Sequence, residues 1–196
     1  MKILLFSDIH GDLARLRRLL ETETDYYIAA GDLVSWRKGL DAVGEILALK
    51  KDKVWVLPGN HESEADIAGL SERYGLRALH GRTFEAAGYT IAGLGYSNPT
   101  PFDTPGEYSE AELAERLKPF ANVKPLILVC HCPPKDTTLD RAGAAHFGSS
   151  SIRRFIEDAQ PQWFFCGHIH EAAGQQEQLG VTTGVNVGKQ GYILEL

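Results

Sequence analysis

Cysteine is scarce in this chain, long apolar runs are missing, and positive charge does not dominate. Only Cys130, Cys132 and Cys166 occur; an odd count of three builds no disulfide framework and suits reduced thiols in a cytoplasm. A thiolate zinc site is conceivable, because Cys130 and Cys132 flank His131, but oxygen and nitrogen ligands lie nearby and suit other metals better. No apolar stretch reaches the roughly 18 residues of a membrane-spanning helix. The opening MKILLFSDIHGD has one lysine and a short apolar run followed at once by acidic residues. It reads as a first strand rather than an export signal. Acidic residues outnumber basic ones, 26 to 20, for a formal net charge of −6. That argues against an extended nucleic-acid surface and leaves room for a small, locally positive pocket.

What is present is a chain of 196 residues, 43% hydrophobic, enough for one domain spanning 1–196 with a sizeable core. Short apolar runs alternate with amphipathic stretches. KILLF (2–6), DYYIAA (25–30) and KVWVLP (53–58) predict strands. Helices are predicted over 12–23 with Asp12 as N-cap, over 39–51 with Leu40, Val43, Ile46, Leu47 and Leu49 on one stripe, and over 63–74 capped by Ser63. FEAAGYTIAGLGY (84–96) reads as a hairpin split by a glycine turn. A proline-rich loop follows, then a helix at 109–118, the strand KPLILVC, and a long loop HCPPKDTTLDRAGAAHFGSSS. Loops of that length are usually functional. A helix at 151–159, the strand QWFFC and a glycine-punctuated tail of antiparallel strands complete the chain. This order suggests two packed sheets with helices outside.

The polar residues after the apolar strands form a pattern. ILLF is followed by Asp8 and His10, YYIAA by Asp32, VWVLP by Asn60 and His61, LILVC by His131, and WFFC by His168 and His170. Five of the seven histidines stand at these five exits; only His80 and His146 lie elsewhere. The carboxyl ends of strands are where α/β sheets place their sites. Aspartate and imidazole suit Mn, Fe, Zn or Ni. The set is too large for one ion and fits two, with a carboxylate between them. Alternate residues present both ligands of DIH or GHIH to one side if the backbone stays extended. The glycines before Asp32, Asn60 and His168 suit tight turns. Two divalent ions, two carboxylates and a bridging hydroxide leave a positive site, which favours an anion such as a phosphate ester. Paired metals clamp an in-line displacement at phosphorus and acidify bound water.

The ordered set D-x-H, G-D, G-N-H, H and G-H-x-H resembles the calcineurin-like metallophosphoesterase superfamily, and within it the small phosphoesterases of bacteria and archaea. The resemblance spans residues 8–170. It implies an α/β fold, a four-layer α/β/β/α sandwich of two mixed β-sheets flanked by helices. It implies that Asp8, His10 and His170 hold one metal, that Asn60, His131 and His168 hold the other, and that Asp32 bridges them. It implies that His61 is the general acid and that a metal-bound hydroxide attacks phosphorus directly, with Asp32 and Asn60 part of the catalytic centre. Its protein serine/threonine phosphatases carry GDxVDRG, whereas this chain reads GDLVSWRKG with Arg37 displaced by one residue, which argues against that activity.

Other residues stay open between two readings. Glu62 is either a partner behind the ligands or a helix-start carboxylate. His146 either lines the substrate pocket or faces solvent, and Trp36 either stacks on a substrate ring or packs. GSSS before a helix either offers donors to an anion or is ordinary capping, which is favoured. Arg153 and Arg154 read as helix-surface charges. The expected substrate is a small phosphodiester, a cyclic nucleotide first, or a phosphomonoester. A nuclease is the alternative among enzymes. A metal-binding interaction scaffold without turnover is the alternative outside them. Neither membrane nor extended nucleic acid is expected as a partner.

Overall fold

The computed structural model describes residues 1–196. In chain order its elements are β1 (Lys2–Phe6), α1 (Leu13–Glu21), β2 (Tyr26–Ala30), α2 (Leu40–Leu47), β3 (Val54–Leu57), α3 (Glu64–Tyr74), β4 (Arg77–Ala78), β5 (Arg82–Ala86) and β6 (Tyr89–Leu94). Then come α4 (Glu110–Leu117), β7 (Leu126–Cys130), β8 (Arg141–Ala142), β9 (Ala145–His146), α5 (Ser150–Ala159), β10 (Trp163–Cys166), β11 (Gln176–Leu179), β12 (Thr182–Asn186) and β13 (Tyr192–Glu195).

Two large mixed sheets result. One has the order β13-β1-β2-β3-β4 and the other β11-β12-β10-β7-β6-β5. In the first, β1 to β4 run parallel and β13 closes the edge antiparallel to β1. In the second, β12, β10, β7 and β6 are parallel, with antiparallel β11 and β5 outside them. The tail was expected to be antiparallel throughout. β11 and β13 are, and β12 pairs antiparallel with β11, but it runs parallel to β10 because the hairpin folds back to insert β12 between β11 and β10.

Strand alternation builds the layers. From β1, Leu4 and Phe6 face α1, α2 and α3, joining Leu16, Val43, Ile46 and Ile67. Ile3 and Leu5 face the other sheet, meeting Ile127 and Val129 of β7, Phe165 of β10 and Val185 of β12. Leu126, Leu128 and Cys130 face α4 and α5 through Leu113, Leu117, Ile152 and Ile156. The arrangement is the expected α/β/β/α sandwich. No helix is long and apolar enough to cross a membrane.

The helix ends follow their caps. Asp12 accepts from the Arg15 amide, Ser63 and Asp66 form a capping box, and so do Ser109 and Glu112. α2 stops at Leu47, and Ala48–Lys53 tightens into 3-10 turns broken at Lys50. The tighter winding carries Leu49 off the expected stripe and leaves it 70% exposed. The hairpin turn falls on Ala87 and Gly88, both with positive φ. The three cysteines are buried in the apolar layer under α4 and α5. Burial pushes the Cys132 thiol up to about 12, so these are neutral core side chains rather than thiolate ligands.

Candidate metal centre

The exits of β1, β2 and β3 in one sheet and of β7 and β10 in the other supply every ligand expected from the sequence. The local backbone differs from the extended form anticipated there. Asp8, His10, Asp32 and His168 have φ of 57°, 47°, 52° and 68°. Left-handed backbone at four non-glycine residues stores strain that the surrounding contacts must hold. Of the preceding glycines, Gly31 has positive φ as a turn requires. Gly59 and Gly167 do not. They are there for space, since a Cβ would collide with Asp32 on Gly59, and with Ser7 and Asp8 on Gly167.

The side chains converge in two sets. In the first, His10 Nε2 lies 3.0 Å from His170 Nε2, and His170 Nε2 lies 3.7 Å from Asp8 Oδ1. In the second, Asn60 Oδ1 lies 3.1 Å from His131 Nε2 and 2.9 Å from His168 Nδ1. Asp32 stands between them, with Oδ2 3.7 Å from His10 Nε2 and 3.3 Å from His131 Nε2. Asp8, Asp32, Asn60 and His131 are buried. The donor chemistry fits a cation in each set. Two ligands about 2.1 Å from one ion and at right angles lie about 3 Å apart, which is the His10–His170 spacing. His131 Nδ1 donates to the Ala30 carbonyl at 2.8 Å, so Nε2 is the nitrogen turned toward Asp32 and the one a bound ion would take, the arrangement metal-binding imidazoles adopt. The oxygen–nitrogen groupings Asp8/His10/His170 and Asp32/His131/His168 are each compact enough to hold an ion.

Electrostatics follow from burial and crowding. Burial alone would raise Asp32; His131 and His10 and the His61 amide outweigh it and hold the carboxyl far below its usual range. Burial works against the charge on His131 too, yet the Asp32 and Asp8 carboxylates lift it to about 9. Burial and the neighbouring His131 pull His168 down to about 4.

Behind the ligands lies a frame that the sequence showed only in part. Glu62 is fully buried and accepts from three amides, Asp32 N at 3.1 Å, Val34 N at 2.9 Å and Gly59 N at 2.9 Å. It is the partner behind the ligands, not a helix-start charge. Burial, with the Asp32 charge, pushes its carboxyl up to about 8. His61 is tied by its own amide to Asp32 Oδ1 at 3.0 Å, and its Nδ1 accepts from the Trp36 amide at 3.3 Å. The half-exposed Trp36 ring stands edge-on to His61, centroids 5.4 Å apart. His146 lines the same cavity as His10, Asp32, Asn60, His61, His168 and His170, and its Nδ1 lies 2.7 Å from buried Asp140. Trp36 is outside that lining. His80 is a core histidine: burial lowers it to about 4, and its Nδ1 accepts the Gly95 amide.

The GSSS segment caps α5 through Ser149, and the anion at that helix end is Glu110 of α4, bonded by Ser149 Oγ and the Ser150 and Ser151 amides. Arg153 pairs with Glu157, and Arg37 with Asp66. Asp140, Thr104 and Glu107 emerge as organising residues only in the structure. Each belongs to a T-x-x-D or T-x-x-E spacing, the signal of a local cap, which here organises loops instead.

A two-sheet α/β sandwich with paired histidine–carboxylate sets at its strand exits defines the class: a hydrolase-type scaffold with a candidate two-metal centre. Residues 1–172 match the calcineurin-like phosphoesterases, and the chain belongs to that family, whose members usually depend on two metal ions. An uncharacterized protein of Methanocaldococcus jannaschii is 34% identical over 202 residues, covering 99% of this chain and 91% of its own. The crystal structure of TT1561 of Thermus thermophilus superposes with a TM-score of 0.72 at 20% identity, covering 95% of this chain and 88% of that one. The phosphopantetheinyl hydrolase of Mycobacterium tuberculosis superposes with a TM-score of 0.70 at 14% identity, with the same two coverages of 95% and 88%. These likenesses concern the fold.

Proposed function

We propose that this chain is a dinuclear-metal-dependent phosphoesterase acting on a small phosphodiester or phosphomonoester. Asp8, His10 and His170 hold one ion, Asn60, His131 and His168 hold the other, and Asp32 serves both. The observation that carries this reading is Asp32 Oδ2, which faces His10 Nε2 at 3.7 Å and His131 Nε2 at 3.3 Å, one nitrogen from each set. When bound, the ions supply a Lewis-acid clamp on phosphoryl oxygens and acidify water.

The protein's own groups do the rest. His61 is the general acid. Its Nδ1 lone pair is taken by the Trp36 amide, so Nε2 is the nitrogen that delivers a proton to the departing ester oxygen. Backbone bonding to Asp32 holds the His61 main chain beside the ligands. His146, anchored through Nδ1 on Asp140, offers Nε2 to a substrate oxygen. The cavity measures about 570 Å³ and is walled by Pro99, Pro101, Phe102, Lys135 and Phe147. That size suits a small ester, and the net charge of −6 disfavours long nucleic acids.

The test is hydrolysis of bis-p-nitrophenyl phosphate and p-nitrophenyl phosphate by metal-stripped protein reloaded with Mn²⁺. Turnover that returns with metal and drops about 100-fold or more in His61→Ala, with two metals still bound, supports the reading. Absence of turnover with Mn, Fe, Zn or Ni despite two bound ions makes the chain a scaffold.

A further inference from the structure

Asparagine is an ambiguous ligand, because its oxygen and nitrogen ends are nearly the same shape. A flipped Asn60 would aim two N–H donors at a cation and lose its place in the second set. Something must impose the correct end. Asn60 Nδ2 donates to Thr104 Oγ1 at 3.2 Å. Thr104 alone does not decide, since a hydroxyl both gives and takes hydrogen bonds. Thr104 Oγ1 in turn donates to Glu107 Oε1 at 2.5 Å. A carboxylate only accepts, so it consumes the single hydroxyl hydrogen. What Thr104 has left for Asn60 is a lone pair, and only the NH₂ end of the amide can use it.

We propose that Glu107 and Thr104 are positioning residues that set the polarity of Asn60 and thereby the affinity of one of the two metal sites. The inference rests on the dinuclear reading above. The same carboxylate also folds the cavity wall. Glu107 Oε1 accepts from Thr100 Oγ1 at 2.6 Å and from Thr104 N at 2.9 Å. Thr100 Oγ1 accepts the Phe102 amide at 3.2 Å, and Phe102 is 70% exposed at the cavity. The Gly106 amide returns to the Asn60 carbonyl at 2.9 Å. One acid therefore ties the loop that meets the substrate to a ligand of the metal floor, from a position outside both ligand sets.

The experiment is Mn²⁺ titration by calorimetry of the stripped full chain, with unfolding curves recorded alongside. Thr104→Val keeps the shape and removes the relay. It is expected to weaken one of the two binding events by about 10–100-fold and leave the other unchanged. Thr104→Ser restores it. Glu107→Ala follows Thr104→Val, whereas Glu107→Gln, whose amide oxygen still accepts both hydroxyls, stays within about 3-fold of wild type. Two wild-type affinities in folded Thr104→Val overturn the proposal. If Thr104→Val does not fold, equal Mn²⁺ binding by Glu107→Ala and Glu107→Gln overturns it. Wild-type protein that binds two ions but hydrolyses no ester ends the phosphoesterase reading and leaves this one standing. Wild-type protein that binds no ion ends both.

Discussion

Each of the three hydrogen bonds the structure gives Glu62 is an accepted one. Its two oxygens take three amide hydrogens from the segments bearing Asp32 and Asn60, so a neutral amide in its place must turn an N–H₂ toward one of those donors. Glu62→Gln is expected to cost about 1–3 kcal/mol, read as a lower urea midpoint at unchanged slope, and to weaken metal loading. His61 is the contrasting residue. As the proposed general acid it is assigned to the reaction rather than the frame, so His61→Ala should leave the unfolding free energy within about 0.5 kcal/mol of wild type while cutting turnover by about 100-fold or more. Side-chain identity made both legible as candidates. Their division of labour was not, because it depends on which nitrogen or oxygen meets which amide across 30 residues of chain.

Loops rather than long strands build the wall of the cavity. In the 131–149 loop, Asp140 gathers the amides of Asp136, Thr137 and Gly148 and the ring of His146. Burial would raise its carboxyl, but these bonds, His146 first, hold it below the usual carboxylate range. The sign follows. The folded chain keeps Asp140 ionised more readily than the unfolded chain does. The group therefore adds stability above its unfolded value of about 3.9 and loses it as pH falls through the folded one. Asp140→Asn is expected to cost about 1–3 kcal/mol at pH 7, with the gap to wild type closing below about pH 4. Urea unfolding at a series of pH values checks both. A gap that does not change with pH rejects the assignment. The periodic helices and the glycine-split hairpin were readable from pattern, while the end of α2 was not, since Leu49 fits either an α stripe or a 3-10 turn.

The two sheets contribute different candidate ligands, so the proposed centre requires that they stay packed. Phe165 of β10 is fully buried between them and lies 5.6 Å, ring to ring, from Tyr192 of β13 in the opposite sheet. Phe165→Ala is expected to cost about 3–5 kcal/mol, and metal affinity should fall with it although no ligand is altered. Metal and fold are linked in the other direction as well. Each ion held only by the folded chain should raise its stability by about 2.7 kcal/mol at a hundredfold excess over its Kd. A chelator should return the melting temperature to that of the stripped protein. An unchanged melting curve on loading would place any bound ion outside the folded centre.

The chemistry of this protein lies in its local words. A short strand ending in Asp-x-His, Gly-Asp, Gly-Asn-His, a lone His or Gly-His-x-His states the ligand types, because strand exits are where side chains gather and because aspartate and imidazole bind few things other than cations and protons. The layering was equally readable, since strand alternation names both faces of each sheet. What the linear text left open was polarity and partnership: that Asp8, His10, Asp32 and His168 hold left-handed backbone, and that Glu62, Thr104–Glu107 and Asp140 stand behind the ligands and the walls. Some of these relations are short-range, as Thr104 with Glu107 and Asp140 with its own loop, and others join distant segments, as Asp32 with His131 across the two sheets. In each, hydrogen-bond direction is decided by the partner that arrives, and residue order alone does not name that partner.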